Sequence, residues 1–93
     1  MDIQQFDRES KGHFKALVNG KEAGVMTYSH AGPDKIIIDH TEVDPAFKGQ
    51  AIGNQLLQAV VQYARENNKK IIPLCPFAKS VFDKTAAIRD VLI

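Results

Sequence analysis

Tryptophan is absent, cysteine occurs once, at position 75, and neither sign of charge dominates: twelve Lys and Arg stand against eleven Asp and Glu. A single thiol excludes an intramolecular disulfide, and a reducing, cytoplasmic setting is the expectation that goes with it. A net charge of +1 gives no electrostatic footprint for nucleic acid, so no such partner is expected. No apolar run approaches the roughly 20 residues of a membrane span. The opening Met1-Asp2-Ile3-Gln4-Gln5-Phe6-Asp7 has neither the basic nor the apolar region of a secretory leader. Membrane partners are therefore not expected either. His13, His30 and His40 are scattered and match no zinc spacing with Cys75, so no metal is expected.

What the chain does contain is the ordinary material of a folded protein. Hydrophobic residues make up 44% and charged residues 25%, which argues against disorder. Ninety-three residues allow one domain, expected over 1–93, with a small core.

The first half reads as strands. His13–Val18 is half alternating, and Asn19-Gly20 is a strong hairpin signal. Glu22–Ser29 makes a second strand, ended by Ala31-Gly32-Pro33-Asp34, and Lys35–Val43 a third. The period then changes. Ile52, Leu56, Leu57, Val60, Val61 and Ala64 fall on one face of a helix that Asn67-Asn68 stops. Ile71–Cys75 reads as a short strand, and Pro76 can open a last helix with Ala78, Val81 and Phe82 on its apolar side. The expected fold is α+β: an antiparallel meander, then a right-handed βαβ unit, then a C-terminal helix.

The stretch from Val43 to Asn54 joins the third strand to the long helix. Gly49, Ala51 and Gly53 let a ligand approach the backbone, and the first N–H groups of a helix have no partners inside it. With the helix dipole they suit an anion such as a pyrophosphate, and Lys48 adds a point charge. The plainer reading is a loop whose glycines serve only its turn. A P-loop and a Gly-x-Gly-x-x-Gly fingerprint are both absent.

Strand, Val43-Asp44-Pro45, Lys48-Gly49-Gln50-Ala51-Ile52-Gly53 and amphipathic helix together resemble the acetyl-CoA-binding motif of the GNAT superfamily of N-acetyltransferases. With His40-Thr41-Glu42-Val43 and Pro73-Leu74-Cys75-Pro76-Phe77-Ala78, the chain resembles the short, stand-alone GNAT-like proteins over residues 12–92. The resemblance implies acetyl-CoA as cosubstrate and an amine acceptor of unspecified identity. It implies that Gly49, Gln50, Ala51, Ile52, Gly53 and Asn54, with Lys48, hold the pyrophosphate, and that the backbone around Val43 pairs with the pantetheine arm. Two positions depart from the pattern. Lys48 stands for Arg or Gln, losing a bidentate fork. Ala51 stands for a glycine, which calls for a fully helical φ there or crowds the phosphate.

Acetyl transfer to an amine needs a base for the ammonium and an acid for the leaving thiolate. Simple alternation puts Ile36, Ile38, His40 and Glu42 on one face of their strand, with Ile37, Asp39, Thr41 and Val43 on the other. The resemblance implies Glu42 as general base, against a plain solvent-facing glutamate. His40 titrates in the right range for a base or relay, against a structural histidine. Cys75 falls where the family often holds an Asn beside the pantetheine, and the family's Tyr acid appears here as Phe82. Cys75 is thus a candidate acid or acetyl-carrying nucleophile, reactive toward alkylation, against a buried core thiol. Larger members shape the acceptor site with helices after the first strand. Here only Asn19-Gly20 intervenes, so the acceptor site is expected to be shallow, built from loops or completed by another chain. An acetyl-CoA-dependent N-acetyltransferase, a non-catalytic acyl-CoA-binding or sensing module, and an interaction domain are the three functions carried forward. Oligomeric state is left open.

Overall fold

A computed structural model describes residues 1–93. Five strands form one sheet in the order β1 (Asp2–Asp7), β2 (Lys11–Val18), β3 (Lys21–His30), β4 (Lys35–Val43) and β5 (Lys70–Pro73). The first four are antiparallel in sequence order, and β5 is parallel to β4 after the crossover helix α1 (Ile52–Glu66). Helix α2 (Pro76–Lys84) and a 3-10 stretch at Ala86–Val91 complete the chain. The expected meander, βαβ unit and C-terminal helix are all present. Asn19 and Gly20 both take positive φ at the β2–β3 turn, as a two-residue hairpin requires.

One strand was not foreseen. β1, sequence DIQQFD, buries no residue fully, and it is held largely by polar contacts. Asp7 accepts from the Tyr28 hydroxyl at 2.6 Å and from His30 Nε2 at 2.8 Å, and Gln5 donates to the same hydroxyl at 2.8 Å. Tyr28 is fully buried. A Cβ on Gly12 would stand 2.6 Å from the phenol oxygen, so a glycine there leaves the ring its room. The Asn19–Gly20 turn therefore joins the second and third strands, not the first two.

Both helices cover one face of the sheet. Phe14, Ala16, Met26, Tyr28, Ile36, Ile38 and Ile71 meet Leu56, Leu57, Val60, Val61, Ala78 and Phe82 in a single core. The other face of the sheet carries no helix. Val91 enters the core, while Leu92 bridges to Ile71 and the Ile93 N–H donates to the Ile71 carbonyl along the outer edge of β5. Arg65 fixes this tail with a two-pronged contact to Asp90 at 3.0 and 2.7 Å. No helix is long and apolar enough to cross a membrane.

Candidate functional site

The β4–β5 ladder ends at Ile38↔Pro73. There the Ile38 carbonyl accepts from both Leu74 and Cys75, at 3.2 and 3.1 Å, and β5 gives way to α2. β4 continues for five residues with no partner on that side, so the sheet splits. Asp44 N–H donates to Ala23, and by the alternation of an antiparallel ladder the main-chain groups of Thr41 and Val43 turn away from β3 into the split. Val43 is exposed at its mouth. A groove of about 600 Å³ lies over this end of the sheet, between Glu22–Val25 and Thr41–Pro45.

The turn after Val43 is built by its sequence. Asp44 caps a 3-10 turn at Pro45–Phe47 through a 2.9 Å bond to the Ala46 N–H. Gly49 (φ 86°) then reverses the chain. Ala51 caps α1 with φ 57° and ψ 35° and accepts the first helical bond from Gln55. This corrects the expectation of a helical φ at Ala51: the residue is left-handed, the conformation the family's glycine accommodates without strain. The N–H groups of Gly49, Ala51, Ile52, Gly53 and Asn54 have no acceptor in the protein. Five free amides at a helix N-terminus fit a pyrophosphate. Lys48 is exposed beside them and free of any carboxylate. The Gln50 carbonyl accepts from the Gln55 side chain. Ile52 is buried against the Gly24 backbone. The Gly53 Cα faces the Phe77 ring, where a Cβ would come within 2.7 Å, so this glycine serves helix packing as well.

The candidate catalytic residues fall on two sides of the split. A bulge after Ile38 pairs His40 with Thr27 and Ile38 with Tyr28, leaving Asp39 unopposed. Alternation therefore reverses at Asp39. Thr41, opposite buried Met26, faces the helices, whereas Asp39, His40 and Glu42 all face the open side. The predicted grouping of Ile36 and Ile38 with His40 and Glu42 is wrong for this reason. His40 Nε2 and Glu42 Oε1 lie 3.4 Å apart and both are well exposed. Cys75 is 4% exposed, and its Sγ donates to Thr41 Oγ1 at 3.2 Å across the split. Free access of an alkylating agent, expected from sequence, does not fit this burial. Phe82 is a core residue. Thr41 and Phe77 escaped sequence reasoning. Alternation put Thr41 on the wrong face, and nothing local marks Phe77 as the partner of Gly53.

Comparison with known proteins gives the family and agrees with the fold. A family model described as GCN5-related N-acetyl-transferase matches residues 13–91. The chain is 37% identical to a GCN5-like protein of Staphylococcus aureus solved in solution, covering 97% of this chain and 87% of that one at a TM-score of 0.72. An aminoglycoside N-acetyltransferase solved with CoA shares the fold at 16% identity, with a TM-score of 0.64 over 94% of this chain and 89% of that one. Protein NATD1 of Xenopus tropicalis is 29% identical over 72 residues, 76% of this chain. The aligned stretch spans 65% of the length of that relative.

Proposed function

Since the chain belongs to the GCN5-related N-acetyltransferase family, we propose that it is an acetyl-CoA-dependent N-acetyltransferase acting on a primary amine. The observation that carries this reading is the adjacency of the five free amides at 49–54 to the split between β4 and β5. The amides, with Lys48, suit the pyrophosphate. The main-chain groups of Thr41 and Val43 offer a strand-like partner to the pantetheine amides. Acetyl-CoA supplies an activated acyl group.

The reversal at Asp39 then divides the labour. The phosphate site lies on the helix side of the sheet, while His40 and Glu42 lie on the open side. An acceptor amine approaching from the open side meets Glu42 as base, which takes one proton from the ammonium. The nitrogen bonds to the acetyl carbon and gives up a second proton, the carbon–sulfur bond breaks, and the thiolate takes up a proton from its acid, which the nitrogen's second proton restores. With Phe82 in the core, the proton-bearing side chains within the split are Cys75 and the Thr41 hydroxyl that holds it. This favours Cys75 as thiolate acid over acetyl carrier, because its sulfur is enclosed.

The burial of Phe82 also favours one second reading, an acyl-CoA-binding module without turnover. An acetyl-CoA titration followed by amide NMR, combined with a thiol-release assay across a panel of amines, separates the two. Shifts centred on Val43 and 49–54 with acetyl transfer support the enzyme. The same shifts without transfer to any amine support the module. No shifts at millimolar acetyl-CoA overturn both.

A further inference from the structure

The uncovered face of the sheet is a trough, and its charges are sorted. Val25, Thr27 and Ser29 of β3 form the floor, each half-buried. Lys15–Val25–Glu42 run in one row across β2, β3 and β4, and His13–Thr27–His40 in the next. The two walls are therefore two strand spacings apart, roughly 10 Å. The β4 wall is Asp39, His40 and Glu42, with Asp39 fixed by a 2.6 Å bond from Ser29. The opposite wall carries Arg8, Lys11 and Lys15 with His13, and Asp7 lies beside them, bonded to Tyr28 and His30. None of Arg8, Lys11 and Lys15 has a carboxylate partner.

That wall is organised. Phe6 is 43% exposed, which is unusual for so large an apolar ring. It stacks on His13 with 4.9 Å between centroids, and Lys15 Nζ sits 5.2 Å from its ring centre. Phe6 thus holds two of the four basic side chains at the trough. A groove of about 820 Å³ follows the same wall past Lys11 and Arg8 and reaches Asp39.

Resting on the acetyltransferase reading, we infer that the acceptor is an amine carrying a carboxylate roughly 8–10 Å from its nitrogen. The ammonium lies against Glu42, beside the split, and the carboxylate against Lys15, which stands opposite it in the same row. A polyamine, with a second cation at the far end, is rejected by the same wall. A free ω-amino acid and an acidic peptide N-terminus share this chemistry.

The test uses two arms with the full chain. The first compares 6-aminohexanoate, its neutral amide and hexane-1,6-diamine. The second compares the C-terminal amides of Ala-Gly-Glu and Ala-Gly-Lys, so that only the first carries a carboxylate. Binding is read from amide shifts at Lys15, Val25 and Thr27, and transfer from thiol release. The expected result is at least about a tenfold preference for the carboxylate member in one arm, which also identifies the source. Lys15→Glu should remove or invert that preference, and Lys15→Gln should reduce it. Equal or better binding of the diamine and of Ala-Gly-Lys overturns the inference. Acetyl-CoA shifts at 49–54 are measured separately, so loss of those shifts with the carboxylate preference intact overturns the enzyme and leaves the trough standing.

Discussion

Ala51 holds φ at 57° with a β-carbon that the left-handed region penalises by about 1–2 kcal/mol. Ala51→Gly should raise stability by about 0.5–1 kcal/mol, once the greater freedom of glycine in the unfolded chain is subtracted. A urea midpoint that falls would show that the methyl makes a contact of its own. Acetyl-CoA affinity should hold or improve, because the five free amides are unchanged. Glu42→Gln tests a different residue-scale claim. It keeps shape and removes the proton acceptor, so turnover should fall by about 10²–10⁴ while acetyl-CoA binding is unaffected. An unchanged rate would move the role to His40. Cys75→Ala should fold and bind acetyl-CoA yet slow transfer, and alkylation of Cys75 in the free protein should be slow, given its burial. Rapid labelling would mean that the split opens widely without ligand. The loop itself was legible: Gly49, Ala51 and Gly53 before an apolar helical stripe pointed to free amides. The handedness at Ala51 was not, since alanine carries no local signal for positive φ.

At the scale of elements, β1 and the bulge at Asp39 were hidden for separate reasons. β1 has no buried apolar face, so periodicity had nothing to find; its anchor is the contact of Gln5 and Asp7 with Tyr28. The bulge contains no glycine or proline, and only pairing with Thr27 reveals it. Burial tends to raise the Asp7 carboxyl, but hydrogen bonds from Tyr28 and His30 and the nearby charges of His30 and Lys69 outweigh it and hold the group below its usual value. Tyr28 moves the other way: burial and the bond to Asp7 push its phenol well above the usual range. A depressed carboxyl stabilises the fold above its unfolded pKa of about 3.9, and that contribution is lost as pH falls through the lower folded value. β1 amides should therefore lose exchange protection selectively below about pH 4. In Tyr28→Phe that acid dependence should shrink, with a stability loss of about 1–3 kcal/mol at neutral pH from the broken buried bonds. Uniform loss of protection across all five strands would refute a local anchor.

For the whole molecule, every strand lies beside its neighbour in sequence, and one crossover helix supplies the parallel pair. From β2 onward that order was readable, because the apolar period switches from two to 3.6 once, at Ile52. Which face of the sheet stays open was not readable, because strand alternation marks an inward face without saying what covers the outward one. One core joins strands and helices. Urea unfolding should therefore be a single transition, with far-UV dichroism and tyrosine fluorescence coincident. Tyr28 is buried in the core and there is no tryptophan to compete with it. Separate midpoints would show that the meander and the βαβ unit unfold independently.

Leu92 and Ile93 occupy the outer edge of β5 with one bridge and one backbone bond. An uncovered strand edge is a template for another chain, and β5, with Ile71-Ile72, is the most apolar edge this sheet has. The charges of Asp2 and Asp7 guard the opposite edge, and Leu92 and Ile93 lie along β5. Two residues that contribute little to the core thus act as a guard against self-association. Their removal should show first as turbidity on storage at high concentration, before any change in the melting of the monomer.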